Sequence, residues 1–130
     1  MQATRYALDV SAFNDLGAIE PQRIWNGVVG RTVHGDRITL TYVELEPGVA
    51  VPEHSHENEQ QGMVLSGSLT FTVGDETREL GPREAWCITA HVPHSVEAGP
   101  DGAVVVEVFS PPRADWMGLE PAEPAAPRLP

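Results

Sequence analysis

The sequence contains no lysine, and its eight arginines are set against 19 aspartate and glutamate residues. The formal net charge is therefore -11 at pH 7. A surface with this balance repels the phosphates of nucleic acids and the headgroups of anionic membranes unless a local basic patch reverses it. No run of basic residues forms such a patch. We therefore expect neither nucleic acid nor a membrane as a partner.

Cysteine is almost absent as well, because Cys87 is the only one in the chain. A single thiol excludes an internal disulfide and any zinc site built from several cysteines. Cys87 lies within the apolar run Trp86-Cys87-Ile88, which predicts ordinary packing rather than a reactive nucleophile.

Long apolar runs are missing too, since no window approaches the roughly 18 consecutive apolar residues that a membrane-spanning helix needs. The segment from Met1 to Val10 lacks the cationic start and the apolar centre of a secretory signal peptide. From these two observations we expect a cytoplasmic protein.

In place of long apolar runs, the sequence has short runs of alternating or β-branched residues that are separated by turn residues. The turn signals recur every 8 to 15 residues or so, a spacing that predicts an all-β sandwich or barrel. A short helical turn is also predicted between Asp15 and Ile24, weakened by Gly17 and Pro21. The predicted strands are Ile38–Leu45, Met63–Ser66, Leu69–Val73, Ala85–Thr89 and Ala103–Ser110.

The 130 residues suffice for one compact domain. We divide them into an N-terminal extension with the first strands (1–36), a barrel core (37–113) and a tail rich in proline and alanine (114–130). Six of the 12 prolines lie from Pro111 onward, so we expect the tail to pack no core and to fray at its end. Its large apolar residues are expected either to cover a barrel opening or a neighbouring subunit, or to be disordered: Trp116, Met117 and Leu119.

Three histidines form the candidate metal site. His54 and His56 are two residues apart, so in a strand both rings point to one face, and Gln60 has the same parity. His94 begins a later predicted strand. Three imidazoles and an amide oxygen would leave one or two open positions on a six-coordinate ion, as a catalytic site requires. Taken alone, a His-x-His pair is also typical of surface histidines in an acidic loop.

The strand that ends near Ser110 supplies a second set of candidates. Alternation places Val105, Glu107 and Phe109 on one face, and if that face is the lumen, Glu107 becomes a candidate general acid or base. Otherwise, Glu107 faces solvent at a sheet edge. Arg113 could bind a substrate carboxylate through its fork of N–H groups, or it could be a surface residue paired with Asp115 or Glu120.

Taken together, these motifs resemble the two-motif pattern of the cupin superfamily over residues 38–113. The resemblance implies a six- to eight-stranded antiparallel barrel, or jelly roll, that holds a divalent metal and usually forms a homodimer. The family's usual fourth ligand is glutamate, whereas the matching position here is Gln60; Glu59 is the alternative, and strand parity with His56 favours Gln60. The residues that carry the pattern are Gly48, His54, His56, Gln60, Gly67 and Pro93-His94.

Among cupins, the chain looks most like the small single-domain members that ketonise 4,5-unsaturated uronates in pectin and alginate breakdown. It is also similar to the cupin isomerases of bacilysin biosynthesis. The resemblance implies metal ligands at His54, His56, Gln60 and His94. It implies catalytic or substrate-binding roles for Glu107, Phe109 and Arg113, with Trp86 and Met63 completing the pocket.

Several residues depart from the uronate family and leave the substrate open. Glu107 stands where that family has aspartate, and Met63 stands where tyrosine is frequent. Arg83 replaces a turn glycine, and His91 is predicted to be a turn residue because histidine tolerates positive φ. We expect His34, in the sequence His-Gly-Asp, at the surface.

The function predicted from these residues is a metal-dependent isomerisation, tautomerisation or elimination on a small carboxylated metabolite. The metal would be Mn, Fe, Ni, Co or Zn. Two alternatives stay open: an Fe(II)-dependent cupin dioxygenase, and a cupin that binds a small molecule without catalysis.

Overall fold

The computed structural model describes residues 11–130. The signal-peptide prediction for Met1 to Val10 therefore concerns residues outside the described range. Over residues 11–130 the fold consists of eight strands, with two 3-10 turns at Leu16–Ala18 and Ala114–Trp116 and no α-helix. The strands are β1 (Gln22–Trp25), β2 (Val28–His34), β3 (Thr39–Leu45), β4 (Ala50–His54), β5 (Glu59–Val73), β6 (Glu76–Leu80), β7 (Ala85–Ile88) and β8 (His94–Ser110).

The strands form an antiparallel jelly roll. Their hydrogen-bonded order is β1-β2-β3-β8-β5-β6, while β4 pairs with β8 and β7 pairs with β5. The first half of β8 lies between β4 and β5, and its second half lies between β3 and β5. This arrangement confirms the predicted all-β barrel. The described residues contain no helix with the length and apolarity needed to cross a membrane.

The two longest strands differ from the prediction. The segment around Gly67, predicted as a turn between two strands, is an irregularity inside β5, where the pairing with β8 shifts between Gly67 and Leu69. The sequence Gly99-Pro100-Asp101-Gly102, whose residues are typical of a turn, likewise lies inside β8. These glycines bend the strands without reversing the chain, so β5 and β8 each take part in both halves of the barrel.

Gly67 permits the closest approach between β5 and β8. Its φ is +77°, and a Cβ atom there would lie 2.1 Å from the carbonyl oxygen of Gly102. Because that oxygen belongs to the backbone, it cannot rotate away. Only glycine fits this crossing.

Alternation along the strands decides which side chains form the core. On β8, Val105 and Phe109 are buried in the lumen, whereas Val108 is 37% exposed. On β7, Trp86 packs against the core and Cys87 points outward and is exposed. The predicted packing of Cys87 is therefore wrong, because the residue occupies the outer parity of its strand. The buried core comprises Val28, Val43, Leu45, Val51, Val64, Leu69, Phe71, Leu80, Ile88, Ala98, Ala103 and Val105.

The N-terminal residues contain less helix than predicted. Only Leu16–Ala18 forms a 3-10 turn, capped by the Asp15 side chain, and Gln22 already belongs to β1. At the C-terminus, Trp116 is buried, as predicted for a residue that covers an opening, whereas Met117 is 59% exposed.

The end of the tail does not fray but lies along the first strands. Pro121 forms a β-bridge with Gln22. The N–H of Arg23 donates to the carbonyl oxygen of Glu120 at 2.9 Å, and the N–H of Ala122 donates to that of Pro21 at 2.9 Å. Backbone hydrogen bonds therefore hold a segment that has too few apolar side chains to pack by itself.

A buried ion pair extends this attachment. Arg31, whose side chain is 2% exposed, pairs with Glu44 and donates to the carbonyl oxygen of Ala125 at 2.7 Å. The backbone N–H of Arg128 donates to Glu44 at 3.1 Å. Composition alone does not reveal this attachment, because the partners are 84 to 94 residues apart along the chain.

Substitution of Gly67 tests the crossing of β5 and β8. We expect Gly67→Ala to lower the free energy of unfolding by at least about 2 kcal/mol, because the new methyl group meets backbone as well as an unfavourable φ. Gly48→Ala is the matched control, since Gly48 also has a positive φ (+70°) but would place its Cβ in open space. Urea denaturation measures the free energy of unfolding of both variants. Equal losses of stability in the two variants would show that the close approach of β5 and β8 imposes no constraint.

Candidate metal centre

Three histidines meet at one end of the barrel because of strand pairing. His54 ends β4 and lies opposite His94, the first residue of β8, in the antiparallel ladder. His56 follows in the loop before β5. The ring centroid of His94 is 4.4 Å from that of His54 and 4.9 Å from that of His56. A nitrogen of each ring lies within 4.8 Å of a nitrogen of the other two.

Backbone carbonyl groups fix the orientation of all three rings. The Nδ1 atoms of His54, His56 and His94 lie 2.8, 2.9 and 2.8 Å from the carbonyl oxygens of Pro52, Asn58 and Val92. A carbonyl oxygen only accepts, so each Nδ1 carries a proton, and Nε2 is the atom of each ring that is left to bind a metal. Metal-binding histidines commonly have this second hydrogen bond.

Burial keeps the imidazoles of His56 and His94 neutral, the form that binds a metal. His94 is 2% exposed, and this burial lowers its pKa to about 4. Burial is also the main cause of the lowered pKa of His56, and the positive charge of Arg113 adds to it. Both rings therefore present lone pairs at neutral pH.

Gln60 brings an oxygen to the same place. Its amide N–H donates to Glu107 Oε2, which directs the amide Oε1 toward His56, 3.1 Å from Nε2. Two acceptor atoms then face each other, an arrangement that a cation between them would stabilise. Within residues 11–130, His94 Nε2 is the buried side-chain nitrogen or oxygen that has no hydrogen-bond partner. The donor set therefore fits a divalent cation held by three imidazoles and one amide oxygen.

Glu107 lies next to this donor set, inside the lumen. It is 9% exposed, and burial raises its pKa to about 7, although hydrogen bonds from Gln60 and Trp86 act in the opposite direction. Trp86 Nε1 donates to Glu107 Oε2 at 3.3 Å. Gly62 makes this contact possible, because a Cβ there would lie 2.4 Å from the Trp86 ring and 2.9 Å from Glu107 Cγ.

Arg113 lies on the cavity wall after β8 ends. Its guanidinium carbon is 4.9 Å from the centre of the Phe109 ring and 4.2 Å from the centre of the Trp116 ring. Arg113 also pairs with Asp115 at 3.0 Å. The sequence analysis offered two interpretations of Arg113, a residue that binds a substrate carboxylate and a surface residue paired with an acid. Arg113 lines the cavity and also has a surface partner, so each interpretation agrees with part of its position.

The structure brings most of the predicted site residues to one cavity. Met63 is the exception. It is 41% exposed and lies outside the cavity, because Gly62 and Val64 occupy the inner parity of β5 and Met63 faces outward. Its predicted place in the pocket is wrong. The predicted residues that line the cavity are His54, Gln60, Trp86, His94, Glu107, Phe109 and Arg113, and the Nε2 atom of His56 lies 3.1 Å from Gln60 Oε1.

The neighbouring acid Glu59 points away from the histidines. It is exposed, and its Oε2 lies 3.5 Å from Gln61 Nε2 and 3.6 Å from Cys87 Sγ on the outside of the barrel. The parity argument for Gln60 therefore agrees with the geometry, while metal binding by Gln60 stays a prediction.

The other two histidines lie apart from the cluster. His91 is exposed with a φ of +68°, and Arg83 has a φ of +77°, so both occupy turn positions of the kind predicted for them. His34 ends β2 half-buried and lies 3.5 Å from Thr39 Oγ1, so it is less exposed than predicted.

Three further residues belong to the site; the sequence analysis missed two of them, Trp25 and Asn58, and expected Trp116 only to cover a barrel opening or a neighbouring subunit, or to be disordered. Trp25 lines the cavity with its ring 5.5 Å from His54, and Trp116 lines it beside Arg113. The Asn58 side chain donates to the carbonyl oxygen of Pro112 at 3.3 Å, which ties the histidine loop to the segment that carries Arg113. Trp25 and Asn58 belong to no motif, so only their spatial neighbours reveal them.

The protein is therefore a single antiparallel barrel with a candidate metal centre, whose polar donor atoms lie inside one end. The sequence profile of the cupin domain family (Cupin_2) matches residues 41–109. The chain therefore belongs to the cupin family, and this match confirms the resemblance found in its motifs.

Relatives by sequence include two characterised proteins. H2HPP isomerase of Bacillus subtilis is 38% identical over 76 residues, which cover 57% of this chain and 31% of that protein. The pectin degradation protein KdgF of Dickeya dadantii is 28% identical over 83 residues, which cover 63% of this chain and 76% of that protein. The match with H2HPP isomerase thus spans about a third of that protein's length.

Solved structures show the same fold. KdgF from Halomonas sp. superposes with a TM-score of 0.75 at 25% identity, covering 82% of this chain and 98% of that one. An RmlC-like cupin from Shewanella frigidimarina gives a TM-score of 0.77 at 20% identity, covering 82% of this chain and 96% of that one.

Metal analysis tests the donor set. We expect untagged protein, purified without added metal, to contain close to one divalent transition-metal ion per chain by inductively coupled plasma mass spectrometry. His54→Ala should lose it, because a missing ligand weakens binding by more than the roughly 10- to 100-fold typical of partners outside the ligand set. His34→Ala is the matched control and should keep its metal. A wild type that stays empty after dialysis against Mn²⁺, Ni²⁺ or Zn²⁺ would contradict the assignment.

Proposed function

We propose that this cupin is a metal-dependent enzyme that moves a proton on a small carboxylated metabolite, in an isomerisation, tautomerisation or elimination. The observation that carries the proposal is the contact between Gln60 and Glu107. Through it, a buried carboxyl group lies beside the candidate cation site in a largely apolar cavity.

The chemistry assigned to Glu107 is proton transfer. Burial raises the pKa of Glu107, whereas a cation bound beside it would lower that pKa, so Glu107 would take up a proton as a carboxylate and return it as the acid. In an isomerisation or tautomerisation, Glu107 would take a proton from a carbon or a hydroxyl oxygen of the substrate and return it to another carbon; in an elimination it would pass the proton to the departing group, so the net proton count does not change. Trp86 and Gln60, which both donate to Oε2, would hold the carboxyl group in place during the transfer.

Other residues would bind and orient the substrate. Arg113 would hold a carboxylate through charge-assisted hydrogen bonds. Phe109 and Trp116 would exclude water from that side of the cavity, since both are buried. A divalent cation bound by the histidines and Gln60 would supply positive charge to a substrate oxygen and to the negative charge that develops there.

The relatives support this class of reaction. One bears the name isomerase and the other the name of a pectin degradation protein. The latter likeness makes 4,5-unsaturated uronates the first substrates to test on this chain. Loss of activity without oxygen would favour the alternative, an Fe(II)-dependent dioxygenase, since proton transfer needs no oxidant.

Substitution of Glu107 tests the proposal. We expect Glu107→Gln to lower kcat by at least about 100-fold, because the amide keeps the shape of the side chain but cannot accept the proton. Turnover of an unsaturated uronate would be followed by ultraviolet absorbance, and metal content would be measured on the same samples. Glu59→Gln, which removes the neighbouring exposed carboxylate, is the control and should stay active. Normal turnover by Glu107→Gln with metal bound would disprove the assigned role.

We also propose that the chain forms a homodimer through the outer face of β3, β8 and β5. Leu40, Val108 and Met63 are exposed there on neighbouring strands, at 43%, 37% and 41%. Leu40 lies directly opposite Val108 in the ladder. Burial of these apolar side chains would stabilise an assembly of chains that otherwise repel each other through their net charge, and the exposed Glu59 lies beside Val108 at the edge of the patch.

Sedimentation equilibrium checks the dimer. We expect a mass of twice the 14.1 kDa chain for the wild type and of one chain for Val108→Glu, which places a charge in the apolar face. Leu129→Glu, at a residue that is exposed elsewhere on the chain, should remain dimeric. A wild type that sediments as a single chain would refute the proposal.

A further inference from the structure

Arg113 is held in place from three sides. Its backbone N–H donates to Thr39 Oγ1 at 2.9 Å, and its guanidinium stacks against the rings of Phe109 and Trp116. The side chain is only 11% exposed. A guanidinium fixed in this way keeps its donors in one orientation, which suits recognition of a planar carboxylate.

A carboxylate already occupies those donors, and it comes from the chain itself. Arg113 Nε donates to Asp115 Oδ1 at 3.1 Å, and Arg113 Nη2 donates to Asp115 Oδ2 at 3.0 Å. The pair is therefore bidentate, as is typical of arginine with a carboxylate ligand. The 3-10 turn at Ala114–Trp116 brings Asp115 back beside Arg113.

The two partners differ in burial. The Asp115 side chain is 65% exposed, whereas that of Arg113 is 11% exposed. Asp115 could rotate into water and keep its charge hydrated, while Arg113 stays between its rings. An incoming carboxylate would then replace one carboxylate with another at the same donors, and the charge on the guanidinium would stay neutralised.

We propose that Asp115 is an internal competitor for the substrate carboxylate, a specificity-determining residue that fills the Arg113 donors until the substrate displaces it. The inference rests on the proposed function, because it takes Arg113 as the group that binds the carboxylate. Asp115 lowers the affinity for every carboxylate by the same factor, so at a given concentration only a carboxylate that gains further contacts in the cavity displaces it. A purely structural Asp115 would instead stabilise the turn without affecting carboxylate affinity.

Carboxylate binding tests the competition. Isothermal titration calorimetry at fixed ionic strength would compare benzoate with the neutral benzamide on zinc-loaded, full-length protein. We expect Asp115→Asn to bind benzoate about threefold to fivefold tighter than wild type, the scale of a partly exposed ion pair. Benzamide affinity should not change. Asp75→Asn is the matched control, because it removes the same charge from an exposed turn and should leave benzoate affinity unchanged.

A second arm separates this inference from the proposed function. Arg113→Gln should weaken benzoate binding, and adding Asp115→Asn to it should give no gain. If Arg113→Gln leaves benzoate affinity unchanged, Arg113 binds no carboxylate, and both the inference and that part of the proposed function fail. If Arg113→Gln weakens binding but Asp115→Asn does not tighten it, only the competition is disproved.

Spectroscopy gives a readout that a structural role would not move. The Arg113 Nε–H resonance of wild type should shift when saturating benzoate replaces Asp115. The same resonance should differ in Asp115→Asn before any ligand is added. An Arg113 resonance that benzoate does not move, or the absence of benzoate binding to any variant, would overturn the inference; the turnover test of Glu107 would still stand by itself.

Discussion

The antiparallel ladder between β5 and β8 is the interaction on which the rest of the structure depends. It runs from Glu59 opposite Ser110 to Val73 opposite His94 and shifts register near Gly67. Because the two strands cross both halves of the barrel together, this single pairing closes the core. It also sets Gln60 opposite Phe109 and places Glu107 opposite Gly62, so the ladder that makes the fold also assembles the site.

Placing a polar cluster inside such a core has a cost that the structure offsets through hydrogen bonds. Gln60 and Trp86 both donate to Glu107, and His56 donates from its Nδ1 to the carbonyl oxygen of Asn58 while its Nε2 faces the Gln60 oxygen. A buried carboxyl group surrounded by apolar side chains favours its neutral form, which is why the pKa of Glu107 is raised. The burial of Glu107 lowers the stability of the fold, and the same burial raises the pKa that suits this residue to act as an acid or base.

The C-terminal segment completes the cavity from outside the barrel. Its end is attached to β1–β3 by backbone hydrogen bonds and by the buried pair of Arg31 and Glu44. Its beginning carries Arg113 and Trp116 onto the cavity wall. Because the cavity wall includes a segment held by polar contacts, its shape depends on residues far from the histidines.

Local pattern in the sequence determined β3, β7, parts of β5 and β8, the cupin resemblance and the face of Gln60, because side-chain parity depends only on neighbouring residues; it left open whether Glu107 faces the lumen or solvent. Met63 and Cys87 face outward because of the same parity. The sequence analysis predicted both inside, since it followed a motif match for Met63 and an apolar run for Cys87. Only the tertiary structure decided that the tail is ordered, that Trp25 and Trp116 line the cavity and that Asp115 occupies Arg113. These contacts depend on how distant segments pack, as for Arg31 and Ala125, which are 94 residues apart, and no local periodicity records such packing.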